Sequence, residues 1–160
     1  MCHACIGVIV SQNQPLVSVL VPICNVEKYL DECLSSLKNQ TLKDIEIICI
    51  NDGSTDSSLE IINGFASEDP RFVVIDKPNS GYGDSMNRGL EIAKGKYISI
   101  LESDDFLDAD ALEFMVQQAE DNELDLFKCN FWLYWSSRDS SRLNRLFSRD
   151  ESRADWHGRT

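Results

Sequence analysis

Histidine is scarce in this sequence, and the two that occur, His3 and His157, lie near no motif. A Ser–His–Asp triad or a Cys–His pair therefore has no histidine base, and covalent catalysis by those routes is not indicated. A Gly-Lys-Ser/Thr phosphate loop and a Gly-x-Gly-x-x-Gly fingerprint are also missing. The two commonest phosphate-binding turns are thus excluded.

Basic residues are outnumbered, with 15 Lys and Arg against 27 Asp and Glu and a formal net charge of −12. Such an acidic balance argues against nucleic acid as a partner. No apolar run is long enough to span a bilayer, and Met1 to Val10 lacks the basic flank of a signal peptide. With 160 residues, the chain is long enough for one domain with a real core, which we expect to be cytoplasmic.

Paired metal-binding cysteines are missing as well. Among the six cysteines only Cys2 and Cys5 are closely spaced, and without a second pair a zinc site is not indicated. The others lie in or beside apolar segments, where a free cysteine acts as a small hydrophobic residue. We expect reduced cysteines in a cytosolic protein.

What the sequence does contain is an alternation of short apolar runs and helical periodicities. Strands are predicted over 17–21, 45–50, 72–75 and 97–101, the last of them buried, with a further apolar β-like run over 124–131. Pro22 is expected to end the first strand. Helices are predicted between the strands, with these residues facing inward: Leu30, Cys33, Leu34 and Leu37; Leu59, Ile62, Phe65 and Ala66; Met86, Leu90 and Ala93; Leu112, Met115 and Ala119.

This alternation predicts an α/β fold with a mainly parallel sheet and helices on both faces. Residues 1–15 are interpreted as a leader, 16–135 as the domain, and 136–160, with six Arg and no Lys, as a weakly ordered or truncated tail. Polar clusters follow each of the first four strands. Because ligands of such sheets bind beyond the carboxyl ends of the strands, the clusters are expected to meet at one edge.

Three carboxylates, Glu102, Asp104 and Asp105, follow the fourth strand directly. They repel one another, and a hard cation such as Mg²⁺ or Mn²⁺ would remove that cost. The alternative is an acidic loop that caps the next helix, because Asp108 and Asp110 continue the acidic run.

The second strand runs into Asn51-Asp52-Gly53-Ser54-Thr55-Asp56. The plain interpretation is a tight turn at Gly53 followed by a cap from Ser54, Thr55 or Asp56. Capping does not need Asp52, whose carboxylate is able to accept from a base N–H or from ribose hydroxyls.

Two further loops have both a structural and a ligand-binding interpretation. After the first strand, Asn25 can cap the next helix and Glu27 can complement its dipole, or the loop can line a nucleoside. After the third strand, Gly81 lets backbone approach a ligand, and Lys77 or Arg88 can meet a diphosphate or remain a solvated charge.

Taken in order, these segments resemble the N-terminal half of a family 2 glycosyltransferase with the GT-A fold, over roughly residues 16–131. The likeness is carried by residues in family order and spacing: Val17-Ser18-Val19-Leu20-Val21-Pro22, Asn25, Glu27, Asn51-Asp52-Gly53-Ser54-Thr55-Asp56, Asn79, Gly81, Asn87-Arg88-Gly89, Ala93-Lys94-Gly95, Tyr97-Ile98 and Ser103-Asp104-Asp105. Glu102 stands where many members have Asp, and Cys24 where an aromatic residue is frequent.

The resemblance implies a nucleotide-diphospho-sugar donor, most commonly UDP-linked, transferred with inversion to a hydroxyl of a glycan or lipid-linked acceptor in polysaccharide or cell-surface glycan synthesis. It implies Mg²⁺ or Mn²⁺ on Asp104 and Asp105, and peripheral membrane association of the full-length enzyme. The donor-binding residues it implies are Pro22, Asn25, Glu27, Asp52, Asn79, Gly81, Asn87 and Asp104.

Family members carry the catalytic base further downstream, and no candidate base precedes Ser136. We therefore interpret the chain as an incomplete, donor-binding part of a longer enzyme. The alternatives are a non-catalytic nucleotide-sugar-binding or partner-binding remnant and a flavodoxin-like regulatory module, which strand order separates from the first interpretation.

Overall fold

The computed structural model describes residues 14–128, 131–135 and 140–144. The chain divides into two compact units, residues 1–114 and 115–160. The predicted leader lies outside the described residues except for its last two. The predicted domain boundary after residue 135 stays a prediction.

The first unit is built on a four-stranded sheet in which every neighbouring pair is parallel. Its elements alternate in chain order: β1 (Val17–Ile23), α1 (Glu27–Lys38), β2 (Ile45–Asp52), α2 (Ser58–Glu68), β3 (Phe72–Lys77), α3 (Tyr82–Ile92) and β4 (Tyr97–Ile100). The strand order is β3-β2-β1-β4. This confirms the predicted α/β fold, and it differs from the flavodoxin-like order, in which the third strand lies beside the first.

Helices cover both faces of the sheet. On one face α2 packs on β3, with the rings of Phe65 and Phe72 5.4 Å apart. On the other face α3 packs Met86 against Leu20, Ile48 and Ile50. The change of face at α3 accompanies the return of the chain from β3, at one side of the sheet, to β4 on the far side of β1.

The two central strands are buried along their whole length. Near-continuous β-branched and apolar runs are what a parallel strand covered on both faces requires. The expectation that Pro22 ends β1 is wrong, because β1 continues to Ile23. β4 pairs with β1 only from Val17 to Leu20, so at Pro22 the strand is paired with β2 alone, and a missing N–H is tolerated.

The prediction that β4 is a buried strand is wrong on one face. Ile98 is 45% and Ile100 53% exposed, and among the described residues β4 pairs only with β1. The inward role of Leu90 is also wrong, since it is 51% exposed. The face that α3 buries is formed by Ser85, Met86 and Gly89, whose missing side chain lets the helix approach Leu20 and Ile50.

At the amino end of the sheet, a buried polar contact joins three segments. Ser18 Oγ donates to Glu46 Oε1 at 2.5 Å, and the backbone N–H groups of Lys94 and Gly95 donate to these two side chains. A Cβ on Gly95 would overlap the Ser18 backbone nitrogen. The sheet is therefore locked at the end opposite the polar loops.

The helix α4 (Ala111–Asp121) follows β4, with Leu112 and Ala119 buried and Met115 partly buried. In the second unit, β5 (Phe131–Trp135) pairs antiparallel with β6 (Ser140–Asn144). The predicted strand over 124–131 is wrong for its first five residues, which belong to no strand. Within the described ranges, no helix combines the length and apolar character needed to cross a bilayer.

Gly95→Ala is expected to lower the free energy of unfolding by about 1–3 kcal/mol, because the added methyl group overpacks against the Ser18 backbone. Gly64→Ala is the matched control, since nothing lies within 4 Å of its Cβ. In the middle of α2 it should raise stability by up to about 1 kcal/mol. Urea unfolding measures both, and equal stability of the two variants would contradict the close approach.

Candidate functional site

The carboxyl ends of the four parallel strands lie along one edge of the sheet. The last residues of the strands are Ile23, Asp52, Lys77 and Ile100. From β1 the chain continues to β2 and β3 on one side of β1, and it then returns to form β4 on the other side of β1. A ligand crevice is expected at this switch point, between the loops that follow β1 and β4.

Asp52 organises the nearest of these loops. Its Oδ1 accepts from Lys77 Nζ at 2.5 Å and from the Ser80 backbone N–H at 2.7 Å. Its Oδ2 accepts from the Gly81 N–H at 2.9 Å. The side chains of Asp52 and Lys77 are only 8% and 9% exposed. The carboxylate thus ties the end of β2 to the start of α3.

The charges in this cluster stabilise one another. The hydrogen bond from Lys77, followed by those from Ser80 and Gly81, outweighs burial and lowers the pKa of Asp52. Burial alone would lower the pKa of Lys77, but Asp52 and Asp84 raise it. Lys77 was expected to meet a diphosphate or to be a solvated charge. Its ammonium instead lies between Asp52 and Asp84, with Nζ 3.3 Å from Asp84 Oδ2.

Asn79 and Gly53 hold the loop after β3, residues 78–81 and here named the glycine loop, against the end of β2. Asn79 Nδ2 donates to the Asp52 carbonyl at 3.0 Å and contacts Cys24 Sγ at 3.5 Å. Gly53 has φ +66°, and a Cβ there would lie 2.6 Å from the Asn79 nitrogen. Only glycine serves both the turn and the close approach. Gly81 has φ +91° and precedes the first residue of α3.

The loops after β1 and β2 are joined by reciprocal hydrogen bonds, one of which reaches the first N–H of α1. Asn25, with φ 53°, accepts from the Thr55 N–H at 2.7 Å, and Glu27 accepts from the Ser57 N–H at 2.9 Å. In return Asp56 accepts from the Glu27 N–H at 3.1 Å. Asn25 therefore does not cap its own helix as expected, because β1 and β2 are neighbours and the adjacent loop supplies the acceptors. Asp56, one of the predicted caps of α2, precedes the N-cap Ser57 and accepts from the first N–H of the helix, that of Ser58, at 3.0 Å.

The acidic segment after β4 is a turn in which the Asp105 N–H donates to the Glu102 carbonyl at 3.0 Å. Glu102, Asp104 and Asp105 are all exposed. Partial burial, followed by the negative charges of Asp104 and Glu102, raises the pKa of Asp105. Across the described residues, no three His, Cys, Asp or Glu side chains converge closely enough to hold a metal ion.

Residues of α1 and of the turn that follows it contact the acidic segment and the residues after it. Gln40, fully buried just after α1, donates to the Asp108 carbonyl at 2.7 Å and accepts from the Leu112 N–H at 3.0 Å. Ser36 Oγ accepts from the Leu107 N–H at 3.2 Å. Nearer the carboxylates, Cys33 Sγ lies 3.8 Å from the Glu102 carbonyl oxygen. An irregular segment is thereby fixed at several points along one helix.

The structure brings most of the predicted residues to this edge. Hydrogen bonds join Asp52 to Asn79 and Gly81, and a second network joins Asn25 to Glu27 through the loop after β2. Pro22 is buried near the end of β1, Asp104 follows β4, and Asn87 is exposed on α3, outside both networks. Sequence reasoning missed Tyr82, whose hydroxyl donates to Glu102 Oε1 at 2.8 Å, and Gln40. A tyrosine beside Gly81 was the available signal for the first; nothing marked the second.

Comparison with known proteins identifies the family. The sequence model described as Glycosyl transferase family 2 matches residues 18–159. The chain belongs to this family. It is 42% identical over 124 residues to the uncharacterized glycosyltransferase EpsJ of Bacillus subtilis, covering 78% of this chain and 36% of EpsJ. It is also 42% identical over 104 residues to the chondroitin synthase of Pasteurella multocida, covering 65% of this chain and 11% of that protein.

Solved structures agree with the GT-A fold. Staphylococcus aureus TarS, in a crystal structure with UDP-GlcNAc, superposes with a TM-score of 0.63 at 30% identity, covering 67% of this chain and 32% of TarS 1–349. The Pyrobaculum calidifontis mannosyltransferase PcManGT, solved with GDP-Man and Mn²⁺, gives 0.62 at 22% identity, which speaks for the fold alone. The chain thus spans about a third of EpsJ and of the TarS structure.

Asp52→Asn is expected to lower the free energy of unfolding by about 3 kcal/mol at pH 7, since it removes a buried charge from Lys77 and an acceptor from a backbone N–H. The folded pKa of Asp52 lies below its ordinary 3.8, so its contribution is full above that value and is lost as pH falls through the folded pKa. The folded pKa of Lys77 is raised, so the Asp52–Lys77 pair continues to stabilise the fold at alkaline pH. This contribution is lost as pH rises through the folded pKa of Lys77.

Chemical unfolding at pH 7 and pH 3 measures the difference between wild type and variant. The difference should shrink at pH 3. Asp31→Asn, the same change at an exposed position of α1, is the control and should have no effect at either pH. A difference that is the same at both pH values would contradict the assigned role of the Asp52 carboxylate.

Proposed function

We propose that this chain binds a nucleotide-diphospho-sugar, UDP-linked, across the carboxyl edge of the sheet. In the full-length protein the sugar passes with inversion to a hydroxyl of a glycan or lipid-linked acceptor, in polysaccharide or cell-surface glycan synthesis. The observation that carries the proposal is the pairing of two anchored loops, one held by Asp52 and one bearing Asp104 and Asp105, on either side of the switch point.

The nucleoside is assigned to the end of the site near Asp52. A carboxylate oxygen has two acceptor positions. Oδ1 uses both, on Lys77 and Ser80, whereas Oδ2 uses one, on Gly81. One position on Oδ2 is left for a base N–H or a ribose hydroxyl. Pro22, Asn25, Glu27, Asn79, Gly81 and Asn87 are the remaining candidates for the walls around the nucleoside. The UDP and UDP-GlcNAc held by TarS support a uridine donor.

The diphosphate is assigned to the acidic segment, with Mg²⁺ or Mn²⁺ on Asp104 and Asp105. Carboxylate oxygens suit these ions. Partial burial is the first cause of the raised pKa of Asp105, and the negative charges of Asp104 and Glu102 are the second. The crowding of these negative charges fits a site that takes up a cation. When bound, the ion would neutralise negative charge on the departing diphosphate.

The two basic side chains considered for the diphosphate both lie beside Asp84, which supports a metal rather than a protein cation on the diphosphate. Lys77 is held between Asp52 and Asp84. Arg88 lies 3.8 Å from Asp84 and is the other basic residue considered for this role. The acceptor hydroxyl needs a base, for which we propose a residue of the full-length protein outside this chain, acting at the cytoplasmic face of the membrane.

Titration of the chain with UDP-GlcNAc and other UDP-sugars, with and without Mn²⁺, is expected to show saturable, metal-dependent binding. Asp104→Asn should weaken it by about tenfold or more, equivalent to ~1.4 kcal/mol. Asp108→Asn makes the same charge change in the same segment and should bind as wild type. A folded wild-type chain that shows no metal-dependent binding would refute the proposal, and GDP-mannose tests the choice of nucleotide.

Cys24 provides a second measurement at the nucleoside end. It is exposed and contacts Asn79, whereas Cys33 and Cys49 are buried, and burial raises the pKa of the Cys33 thiol to about 12. Thiolate is the reactive form, so iodoacetamide should modify Cys24 in preference to these two. UDP with Mn²⁺ should slow the modification of the Cys24 peptide, measured by mass spectrometry. Unchanged modification at saturating UDP would place the nucleoside elsewhere.

A further inference from the structure

Tyr82 joins the two loops of the candidate site. It is the first residue of α3, its side chain is 52% exposed, and its hydroxyl donates to Glu102 Oε1 at 2.8 Å. The bond crosses 20 positions of sequence and links the glycine loop to the acidic segment. Among the described residues, it is the one hydrogen bond made by the Glu102 side chain.

The backbone that carries Tyr82 is fixed on both sides. The preceding residue, Gly81, donates its N–H to Asp52, and its carbonyl accepts from the N–H and Oγ of Ser85. Ser85 is 1% exposed. A tyrosine has only two side-chain torsions, so an anchored backbone leaves its hydroxyl little freedom. The phenol is therefore a short, rigid link from Asp52 to Glu102.

The side chain of Glu102 lacks such anchoring, although its backbone carbonyl accepts from the Asp105 N–H at 3.0 Å. Its side chain is exposed, and the neighbouring negative charges of Asp104 and Asp105 repel its carboxylate. A flexible glutamate in this position would sample several rotamers. The direction of its carboxylate is therefore set by the one donor that reaches it among the described residues, the hydroxyl of Tyr82.

We propose that Tyr82 is a positioning residue for the diphosphate end of the site: its hydroxyl orients the Glu102 carboxylate relative to Asp104 and Asp105, and so connects the Asp52-anchored loop to the segment that takes the divalent ion. The inference rests on the proposed donor-binding function. It assigns a specific role to an exposed tyrosine whose hydroxyl bonds neither to the Asp52 carboxylate nor to the two aspartates.

The test is the affinity of the chain for UDP with and without Mn²⁺, measured by calorimetry. Tyr82→Phe should reduce the gain in affinity that Mn²⁺ provides by about tenfold, the loss expected for one charge-assisted hydrogen bond at an exposed site. A merely structural role would lower thermal stability or weaken UDP binding equally in both conditions. Tyr29→Phe is the matched control, because Tyr29 is 47% exposed on α1 and its hydroxyl should not affect the metal-dependent gain.

Glu102→Gln tests the same contact from the acceptor side and serves if Tyr82→Phe is not folded. In the Glu102→Gln background, Tyr82→Phe should cause no further loss. A metal-dependent gain unchanged in Tyr82→Phe, or two additive losses, would overturn the role of Tyr82 while leaving the donor site intact. If wild type shows no metal-dependent UDP binding, the proposed function fails and this inference fails with it.

Discussion

The buried carboxylate of Asp52 is the contact on which the candidate site depends. One side chain accepts from an ammonium and two backbone N–H groups, and so joins the ends of β2 and β3 to the start of α3. A charge removed from water is stable only when it is paired and hydrogen-bonded. Lys77 supplies the pairing, Ser80 and Gly81 supply the bonds, and the loop has to adopt the one conformation that satisfies them.

The parallel topology explains why other loops can be built around this contact. Strands β1 and β2 are neighbours, so the loops that follow them lie side by side and exchange hydrogen bonds through Asn25, Glu27 and Asp56. Strand β4 lies on the other side of β1, and the segment that follows it is held by Gln40, just after α1. Each loop is thus fixed by a neighbour, and none depends on its own sequence alone for its conformation.

This dependence also explains which features the sequence could predict. Apolar runs located all four strands of the parallel sheet, and helical periodicity located the buried face of α1. The runs are clearest in β1 and β2, because a strand covered on both faces must be apolar throughout. The predictions that Leu90 faces inward and that β4 is buried fail because apolar character does not reveal whether a neighbour covers a side chain. The hydrogen bonds between the first two loops, those of Gln40 and the partner of the Tyr82 hydroxyl were not predictable for the same reason: each joins segments whose closeness is decided by strand order.

Two groups of carboxylates at the same edge have opposite electrostatic situations, and this contrast bears most directly on function. Asp52 carries its own cation, and its pKa is lowered. Asp105 lies among Glu102 and Asp104, its pKa is raised, and none of the three forms an ion pair with any described residue. A fold that neutralises one carboxylate internally and leaves three others uncompensated at the same edge separates two tasks. The first carboxylate holds the loop in place, and the proposed function uses the others to attract a cation together with the anionic ligand that it would neutralise.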